Sequence, residues 1–437
     1  MNLVSYQINT MSGEIVCPGD KSISQRILII GSILNCDMEI DGFLDSADPN
    51  STLNALNEIG ASIKKDQEKV FLNKRNIPFH KPVNDLDLGN SGTGARLILG
   101  LISGLGLRSK LIGDSSLSNR PMQRVIKPLT QMGAKIDSNK GKLPIFTLDS
   151  KISNNFQYEM PIASAQVKSC LLLAALASEN NIKVIEPKIT RDHTERMIDY
   201  FGGDISFKQK ENIGEINYKF HNLTPKDSYK VAGDFSSATF IIVATLISLN
   251  SEVLIKNVGL NKTRSGLLEI LKMMGANIQI TNKKIESNEE VGDIVVKSSK
   301  LIGVQVPKNI IPNIIDEIPI LSIAAAFADG VTKISNASEL RVKESDRLNA
   351  ISNGLSKLNI IHEIFEDGLN ITGTKEKVDS EEKINSFNDH RIAMSFLIAG
   401  IRSKKGISVE NCKNIETSFP NFRNIMNSLG MKIDEKN

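Results

Sequence analysis

Apolar and polar positions along the chain fall into two alternating kinds of helical segment. The first kind is an apolar helix behind a short polar or glycine-rich opening. It begins at Asp20 (DKSISQRILII), Gly92 (GTGARLILGLI), Ser164 (SAQVKSCLLLAALA), Asp234 (DFSSATFIIVATLI), Asp316 (DEIPILSIAAAFA) and Asp389 (DHRIAMSFLIAG). The second kind is amphipathic and ends in a glycine or small residue before running into a strand. It reads LNEIGASI at Gly60, LTQMGAKI at Gly133, DYFGGDI at Gly202, LKMMGANI at Gly275, LSKLNII at Leu358 and NSLGMKI at Gly430. Glycine just past a helix supplies the left-handed conformation that closes it. Strand-like stretches such as Lys183-Val184-Ile185 and Ser251-Glu252-Val253-Leu254-Ile255 fill the gaps.

Successive landmarks of the first series lie 72, 72, 70, 82 and 73 residues apart, and those of the second 73, 69, 73, 83 and 72. Both series lengthen at the same step, as one insertion of about ten residues requires, so they belong to one internal repeat. A repeat holding two helices and several short strands is too large for a solenoid unit and too small for an independent α/β domain. Six repeats grouped three and three give two similar domains. The midpoint falls near Gly233-Asp234, where Val231-Ala232-Gly233-Asp234 echoes Val16-Cys17-Pro18-Gly19-Asp20. Residues 20–233 are therefore expected to form one domain and residues 1–19 with 234–437 the other.

Composition narrows the function. The 437 residues carry a formal charge of only +3, and no Lys/Arg tract is interleaved with aromatics, which speaks against a nucleic-acid partner. Four scattered cysteines form no CxxC pair and five histidines show no ligand spacing, so neither a metal site nor a disulfide framework is expected. The richest apolar runs, Cys170 to Ala177 and Phe240 to Leu249, are too short for a membrane span, and the N-terminus has no secretory pattern. A cytoplasmic protein with no membrane association is expected.

Charge placement then points to chemistry. Pro18-Gly19 breaks the chain and Asp20-Lys21-Ser22 opens a helix, so Lys21 sits where the aligned peptide dipoles disfavour a cation. A bound phosphate or carboxylate held by free N–H groups, Lys21, Ser22 and Arg26 resolves the conflict; an ordinary surface lysine is the alternative. The pattern recurs at Arg96, Lys168 and Arg391 in the first series, and at Arg120, Arg124, Arg191, Arg264, Lys343 and Arg347 in the second. Some have a sequence neighbour to neutralise them, as Asp346 beside Arg347 and Asp389 near Arg391. Arg120 does not: Pro121 reads as the first helical position, and the nearest upstream acid is Asp114. Gly89-Asn90-Ser91-Gly92-Thr93-Gly94-Ala95-Arg96 lets backbone approach an oxyanion closely but lacks the GxxxxGK[ST] of an ATP-hydrolysing loop. If the helix starts of the repeats face one side, these groups converge on a cleft between the domains suited to a small polyanion.

These residues carry a resemblance. PGDKSISQR, GNSGTGAR, SNRPMQR, SAQ, IDE, RVKESDR, NDHRIAMSF and TSFPNF, in that order over the whole length, resemble the 5-enolpyruvylshikimate-3-phosphate synthase family. That family transfers the enolpyruvyl group of phosphoenolpyruvate to shikimate 3-phosphate and releases phosphate. The resemblance implies an α/β fold of two similar domains, each of three βαβαββ units in an inside-out barrel, with the active site in the interdomain cleft. It also implies no cofactor and a monomer. By motif, Lys21, Ser22, Arg26, Ser164, Gln166, Arg191, Asp316 and Lys343 would hold shikimate 3-phosphate. Lys21, Gly92, Arg120, Gln166, Arg347 and Arg391 would hold phosphoenolpyruvate. Asp316 would be the base at the attacking hydroxyl and Glu344 the acid at the methylene carbon, with Lys21 sharing proton transfer. Read without the family, Asp316 is an N-cap and Glu344 one member of a surface ion-pair cluster.

Two departures place the chain toward the family's second class. The lysine that the better-known branch carries before its Thr/Ser-Phe-Pro is absent at Thr417-Ser418-Phe419-Pro420, and Gly94-Ala95-Arg96-Leu97 replaces Ala-Met-Arg-Pro. Members of that class often tolerate glyphosate, whereas Gly92 stands where a larger residue commonly accompanies tolerance. Two other readings compete. A sister family acting on a UDP-amino sugar uses a cysteine in the loop that here reads Gly113-Asp114-Ser115-Ser116-Leu117-Ser118-Asn119, with none. A non-catalytic anion-binding protein of the same fold predicts loss of the acids, yet Asp316 and Glu344 are both present.

Overall fold

The computed structural model describes residues 1–66, 69–211 and 213–436. Both helical series form throughout. We label their members in chain order: α1 Lys21–Leu34, α2 Ala47–Glu58, α3 Gly92–Leu105, α4 Gln123–Gln131, α5 Ala165–Ala177, α6 His193–Tyr200, α7 Phe235–Ile247, α8 Gly266–Met273, α9 Ile318–Ala326, α10 Arg347–Lys357, α11 His390–Ala399 and α12 Phe422–Ser428. Odd-numbered helices are the apolar series and even-numbered ones the amphipathic series. Five of the six amphipathic helices are followed by a glycine at positive φ: Gly60, Gly133, Gly202, Gly275 and Gly430. In the remaining case the left-handed residue is Asn359 at φ 55°, one beyond the Leu358 expected from sequence. Asparagine is the side chain that best tolerates this conformation, which is why the repeat survives there without glycine.

The chain divides into two compact units, one of Gly19–Ala232 with Ile285–Glu289, the other of Met1–Pro18, Gly233–Lys284 and Glu290–Asn437. Each unit holds three sheets, and one strand order recurs: a parallel pair, then two antiparallel neighbours. In the simplest case Leu86–Asp87 runs parallel to Ser109–Ile112, which pairs antiparallel with Lys142–Leu148, itself antiparallel to Lys135–Asn139. With α3 and α4 between these strands the order is βαβαββ.

Three repeats complete themselves with distant chain. The sheet of α1 and α2 takes its parallel strand from Ser228–Lys230, and that of α7 and α8 takes Ser12–Val16, with Ile15 opposite Ile255. The last sheet pairs Ile407–Glu410 and Ile433–Lys436 with Asn2–Ser5, placing Leu3 opposite Val409 on one side and Glu435 on the other. One sheet is reduced to three strands, with an isolated parallel bridge, Gln305 to Lys333, in place of the fourth.

The apolar helices form the centre of each unit, with the sheets outside them. Every residue of α7 is buried, and α5 is buried from Val167 to Leu176. A helix apolar on all sides has no solvent face to offer, so its position is dictated. Backbones approach closely here: a Cβ on Gly100 of α3 would lie 2.3 Å from the Cys170 carbonyl oxygen of α5. Among the described residues no helix is long and apolar enough to cross a membrane.

Candidate active site

In the unit of Gly19–Ala232 the starts of α1, α3 and α5 are tied together by side chains. Each is capped by its own oxygen: Asp20 accepts from Ile23 N, Ser91 from Gly94 N and Ser164 from Val167 N. Gln25 of α1 donates to the Ser91 hydroxyl at 2.6 Å and to Thr52 of α2 at 3.0 Å. Gln166 of α5 donates to Thr93 of α3 at 3.0 Å. Three N-terminal ends with their partly positive N–H groups are thereby set near one another, a natural anion site.

Cations line these ends. Lys21, the first residue of α1, pairs with Asp48 at 2.9 Å. That carboxylate is the negative partner its position demanded, and it lies on α2, out of reach of a local reading. Arg26 is buried and, among the described residues, bonded to uncharged oxygens: Nε to Thr194 Oγ1 at 2.8 Å, Nη1 to the Ser22 carbonyl at 2.9 Å and Nη2 to Ser169 Oγ at 2.9 Å. Burial, with the nearby Arg191 cation second, lowers its pKa to about 10. Arg191 itself sits in the loop before α6.

Arg120 donates to Asn90 Oδ1 at 2.7 Å, and Arg96 to the Gly92 and Pro121 carbonyls at 2.9 and 3.1 Å. A Cβ on Gly92 would meet Nη1 of Arg120 at 2.9 Å and of Arg96 at 3.0 Å, so this residue keeps backbone open between two guanidiniums. The expected helix start at Pro121 is corrected: α4 begins at Gln123, and Arg120 instead ends the short helix Ser115–Asn119. Its carbonyl end favours a cation, so dipole conflict is not what marks Arg120.

The other unit gathers acids around its cations. Arg347, the first residue of α10 and 1% exposed, donates Nε to Asp389 Oδ2 at 2.8 Å and Nη1 to Asp316 Oδ1 at 3.2 Å, and bonds Glu344 through Nη2. The three carboxylates outweigh burial and push its pKa up. Lys343 Nζ lies 3.5 Å from the same Asp316 oxygen. Arg391 of α11 donates to the Asp316 carbonyl at 2.9 Å and lies 3.4 Å from Glu317 Oε1.

Sequence neighbours do not make the expected pairs. Asp346 binds Arg341 at 3.0 Å and caps α10, while Asp389 serves Arg347 and caps α11. Consecutive residues leave a helix about 100° apart and do not face each other. Asp316 is not an N-cap either: α9 starts at Ile318 behind Glu317, and the Asp316 carboxylate is taken by Arg347, Lys343 and, at 3.7 Å, Arg264. Glu344 is more than a surface charge, being joined to the buried Arg347.

Sequence reasoning passed over Glu317 and left Arg264 without a role. Arg264, 5% exposed, donates to Ser236 Oγ at 2.6 Å and reaches Glu317 at 3.3 Å and Asp234 at 3.5 Å; Ser236 also bonds Glu317. The available signal was the acid immediately beside Asp316 in an otherwise apolar stretch. Thr417 closes a short 3-10 helix, Cys412–Thr417, its hydroxyl donating to the Asn414 carbonyl. Among the described residues no group of three His, Cys, Asp or Glu could hold a metal ion.

Each unit thus supplies a distinct chemistry: one backbone and guanidinium donors, the other carboxylates with bound guanidiniums. Comparison with known proteins gives this arrangement a lineage. The family model for EPSP synthase (3-phosphoshikimate 1-carboxyvinyltransferase) matches residues 5–426. A 3-phosphoshikimate 1-carboxyvinyltransferase of Petrotoga mobilis is 48% identical over 423 residues, 96% of this chain and 97% of that protein. One of Legionella pneumophila is 42% identical over 437 residues, 100% and 99% respectively. A solved EPSP synthase from Acinetobacter baumannii superposes with a TM-score of 0.87 at 37% identity, covering 100% of both chains. The enolpyruvyl transferase NikO from Streptomyces tendae shares the fold alone, with a TM-score of 0.78 at 14% identity over 100% of this chain and 98% of that one. Matched at such identity over nearly its whole length, the chain belongs to the EPSP synthase family.

Proposed function

We propose that this protein transfers the enolpyruvyl group of phosphoenolpyruvate to the 5-hydroxyl of shikimate 3-phosphate and releases phosphate, a step of aromatic amino acid biosynthesis. The reading is carried by the joined starts of α1, α3 and α5, where Arg26 is held charged among neutral oxygens and Gly92 lies between two guanidiniums. Such a place suits phosphate groups, and the two substrates bring two of them together with two carboxylates.

In this reading Lys21, Ser22, Arg26, Ser164, Gln166, Arg191 and Lys343 hold the phosphosugar. The Gly92 backbone and Arg120 hold the phosphate of phosphoenolpyruvate, while Arg347 and Arg391 hold its carboxylate; Lys21 and Gln166 reach both substrates. Screening of the anionic groups lets the reactants approach, and fixed donors stabilise charge as it moves. Asp316 takes the proton of the 5-hydroxyl as that oxygen bonds to C2, while Glu344 delivers a proton to C3, giving a tetrahedral adduct. The second half returns a proton from C3 to Glu344 as the C2–O bond to phosphate breaks, and phosphate departs with the proton that Asp316 took from the hydroxyl, which restores both acids. Arg347 bonds both Asp316 and Glu344, so one guanidinium fixes the spacing of base and acid. Lys21 shares in the proton transfer, and Lys343, 3.5 Å from Asp316, stays a contact of the phosphosugar. No cofactor takes part.

Phosphate release from phosphoenolpyruvate, assayed in parallel with shikimate 3-phosphate and with UDP-N-acetylglucosamine, tests the proposal. Release with the phosphosugar alone is expected. Release with the amino sugar alone reverses the assignment, and no release with either, from folded protein, favours an anion-binding module. We further propose a monomer working in the cytoplasm, for which size-exclusion chromatography with light scattering should give the mass of one 48.0 kDa chain.

A further inference from the structure

The longer step of the repeat contains a hairpin that is extended relative to its counterparts. Its strands, Asn277–Glu286 and Glu289–Lys297, run 10 and 9 residues, against 4 and 4 in the hairpin after α2 and 7 and 7 in the one after α6. The hairpin's tip, Ile285–Glu289, groups with the unit of Gly19–Ala232, so the chain enters that unit a second time.

The tip is bound residue by residue. Ser287 Oγ accepts from the Lys230 N–H at 3.0 Å, and Asn288 Nδ2 donates to the Arg196 carbonyl at 3.0 Å and to Asp199 Oδ2 at 2.9 Å. Glu289 Oε1 accepts from His193 Nδ1 at 2.7 Å, with both side chains buried. The other ring nitrogen, Nε2, is buried and has no hydrogen-bond partner among the described residues. Glu289 is therefore the hydrogen-bonding group that fixes the ring.

His193 opens α6, and the residues around it serve the anion site. Thr194 Oγ1 accepts from Arg26 Nε and donates to Ser169 Oγ at 2.8 Å. Glu195 pairs at 2.7 Å with the buried Lys168 of α5, whose pKa is raised because Glu195 and Glu186 together outweigh burial. Arg191 lies two residues before His193, close enough to Arg26 to repel its charge.

We propose that Glu289 is a positioning residue for the phosphosugar: by holding His193 it sets the start of α6, and with it Arg191 and the Thr194 oxygen that orients Arg26. This rests on the assignment of Arg26 and Arg191 to shikimate 3-phosphate. The extended hairpin thereby carries a carboxylate, on chain that departs from the other unit and returns to it, to the back of the anion site.

Steady-state kinetics of full-length Glu289→Ala and Glu289→Gln beside the wild type test it. Glu289→Ala should raise the KM for shikimate 3-phosphate by roughly tenfold while the KM for phosphoenolpyruvate moves less than about twofold, since a group displaced within a site weakens mainly the ligand it holds. Glu289→Gln still accepts from the imidazole N–H and should restore most of the loss. A uniform change in both KM values, or a lowered melting temperature with unchanged kinetics, overturns the inference. If Glu289→Ala does not fold, Asn288→Ala, which loosens the tip from α6 without touching His193, should show the same split to a smaller degree, and no split overturns it. Wild type inactive with shikimate 3-phosphate defeats the functional assignment and the inference with it; an active wild type with unsplit variants defeats the inference alone.

Discussion

Two fully buried arginines, one in each unit, face opposite electrostatic conditions. Arg26 is bonded to two hydroxyls and a carbonyl, and burial beside Arg191 lowers its pKa to about 10. Arg347 meets Asp389, Asp316 and Glu344, and its pKa is raised. Neutral oxygens satisfy the donors of a guanidinium without cancelling its charge, so Arg26 retains an appetite for an anion. Carboxylates cancel the charge as well, so Arg347 is already matched within its own unit and serves as a scaffold that spaces acidic groups. Similar repeats have thus placed a buried guanidinium in two settings, among neutral oxygens in one unit and among carboxylates in the other.

Replacing each arginine in turn should expose that difference. Arg347→Met leaves buried Asp389 and its neighbours without their cation, and should cost about 3–5 kcal/mol of stability, read by denaturant unfolding, with turnover abolished. A stable but inactive variant would show that the carboxylates do not depend on Arg347. Arg26→Met removes a charge with no matching carboxylate hydrogen bond, while Thr194 and Ser169 keep the bond between them. Stability should fall by less than about 1 kcal/mol, but the KM for shikimate 3-phosphate should rise about 100-fold, the worth of two charged hydrogen bonds. Equal destabilisation by the two variants would erase the contrast.

Titration sharpens it further. Because the folded-state pKa of Arg26 lies below its ordinary value of 12.5, the folded protein loses this proton near pH 10 while the unfolded chain keeps it. The residue's own contribution to stability therefore improves between those values, as the unfolded state binds more protons there. The charge available to a ligand disappears over the same range. The rise in melting temperature given by shikimate 3-phosphate should accordingly shrink as the pH passes about 10, and the part of that loss due to Arg26 should be missing from Arg26→Met. The smallest effect concerns the helix ends that the two units share. Asn359→Ala should cost about 1 kcal/mol for its left-handed backbone, and Asn359→Gly close to nothing, as at the five glycines of the other repeats.

Legibility from sequence followed the range of the forces involved. The twelve helices could be read because burial on all sides, amphipathic faces and terminal glycines are local signals, and the recurrence of six units added strength to each. The borrowed strands Ser228–Lys230, Ser12–Val16 and Asn2–Ser5 could not, because pairing across such distances leaves no mark within the segment itself. At the site, cations at helix starts were visible but their partners were not. Asp48 for Lys21 and Asp389 for Arg347 come from other helices, whereas adjacency suggested Asp346, which the helix turns toward Arg341. Asp316 looked like a cap because an acid before an apolar helix usually is one. Its capture by Arg347, Lys343 and Arg264 depends on three loops meeting in space.

The strand Asn2–Ser5 lies between Ile407–Glu410 and Ile433–Lys436. Among the described strands it is the first to be made, and in synthesis it waits for both neighbours until the last of them is translated. The unit of Gly19–Ala232 has almost all of its chain available much sooner. Nascent protein should thus carry one nearly assembled half and an unpaired strand, and the emergence of Ile407–Glu410 and Ile433–Lys436 should be the event that lets the second half close.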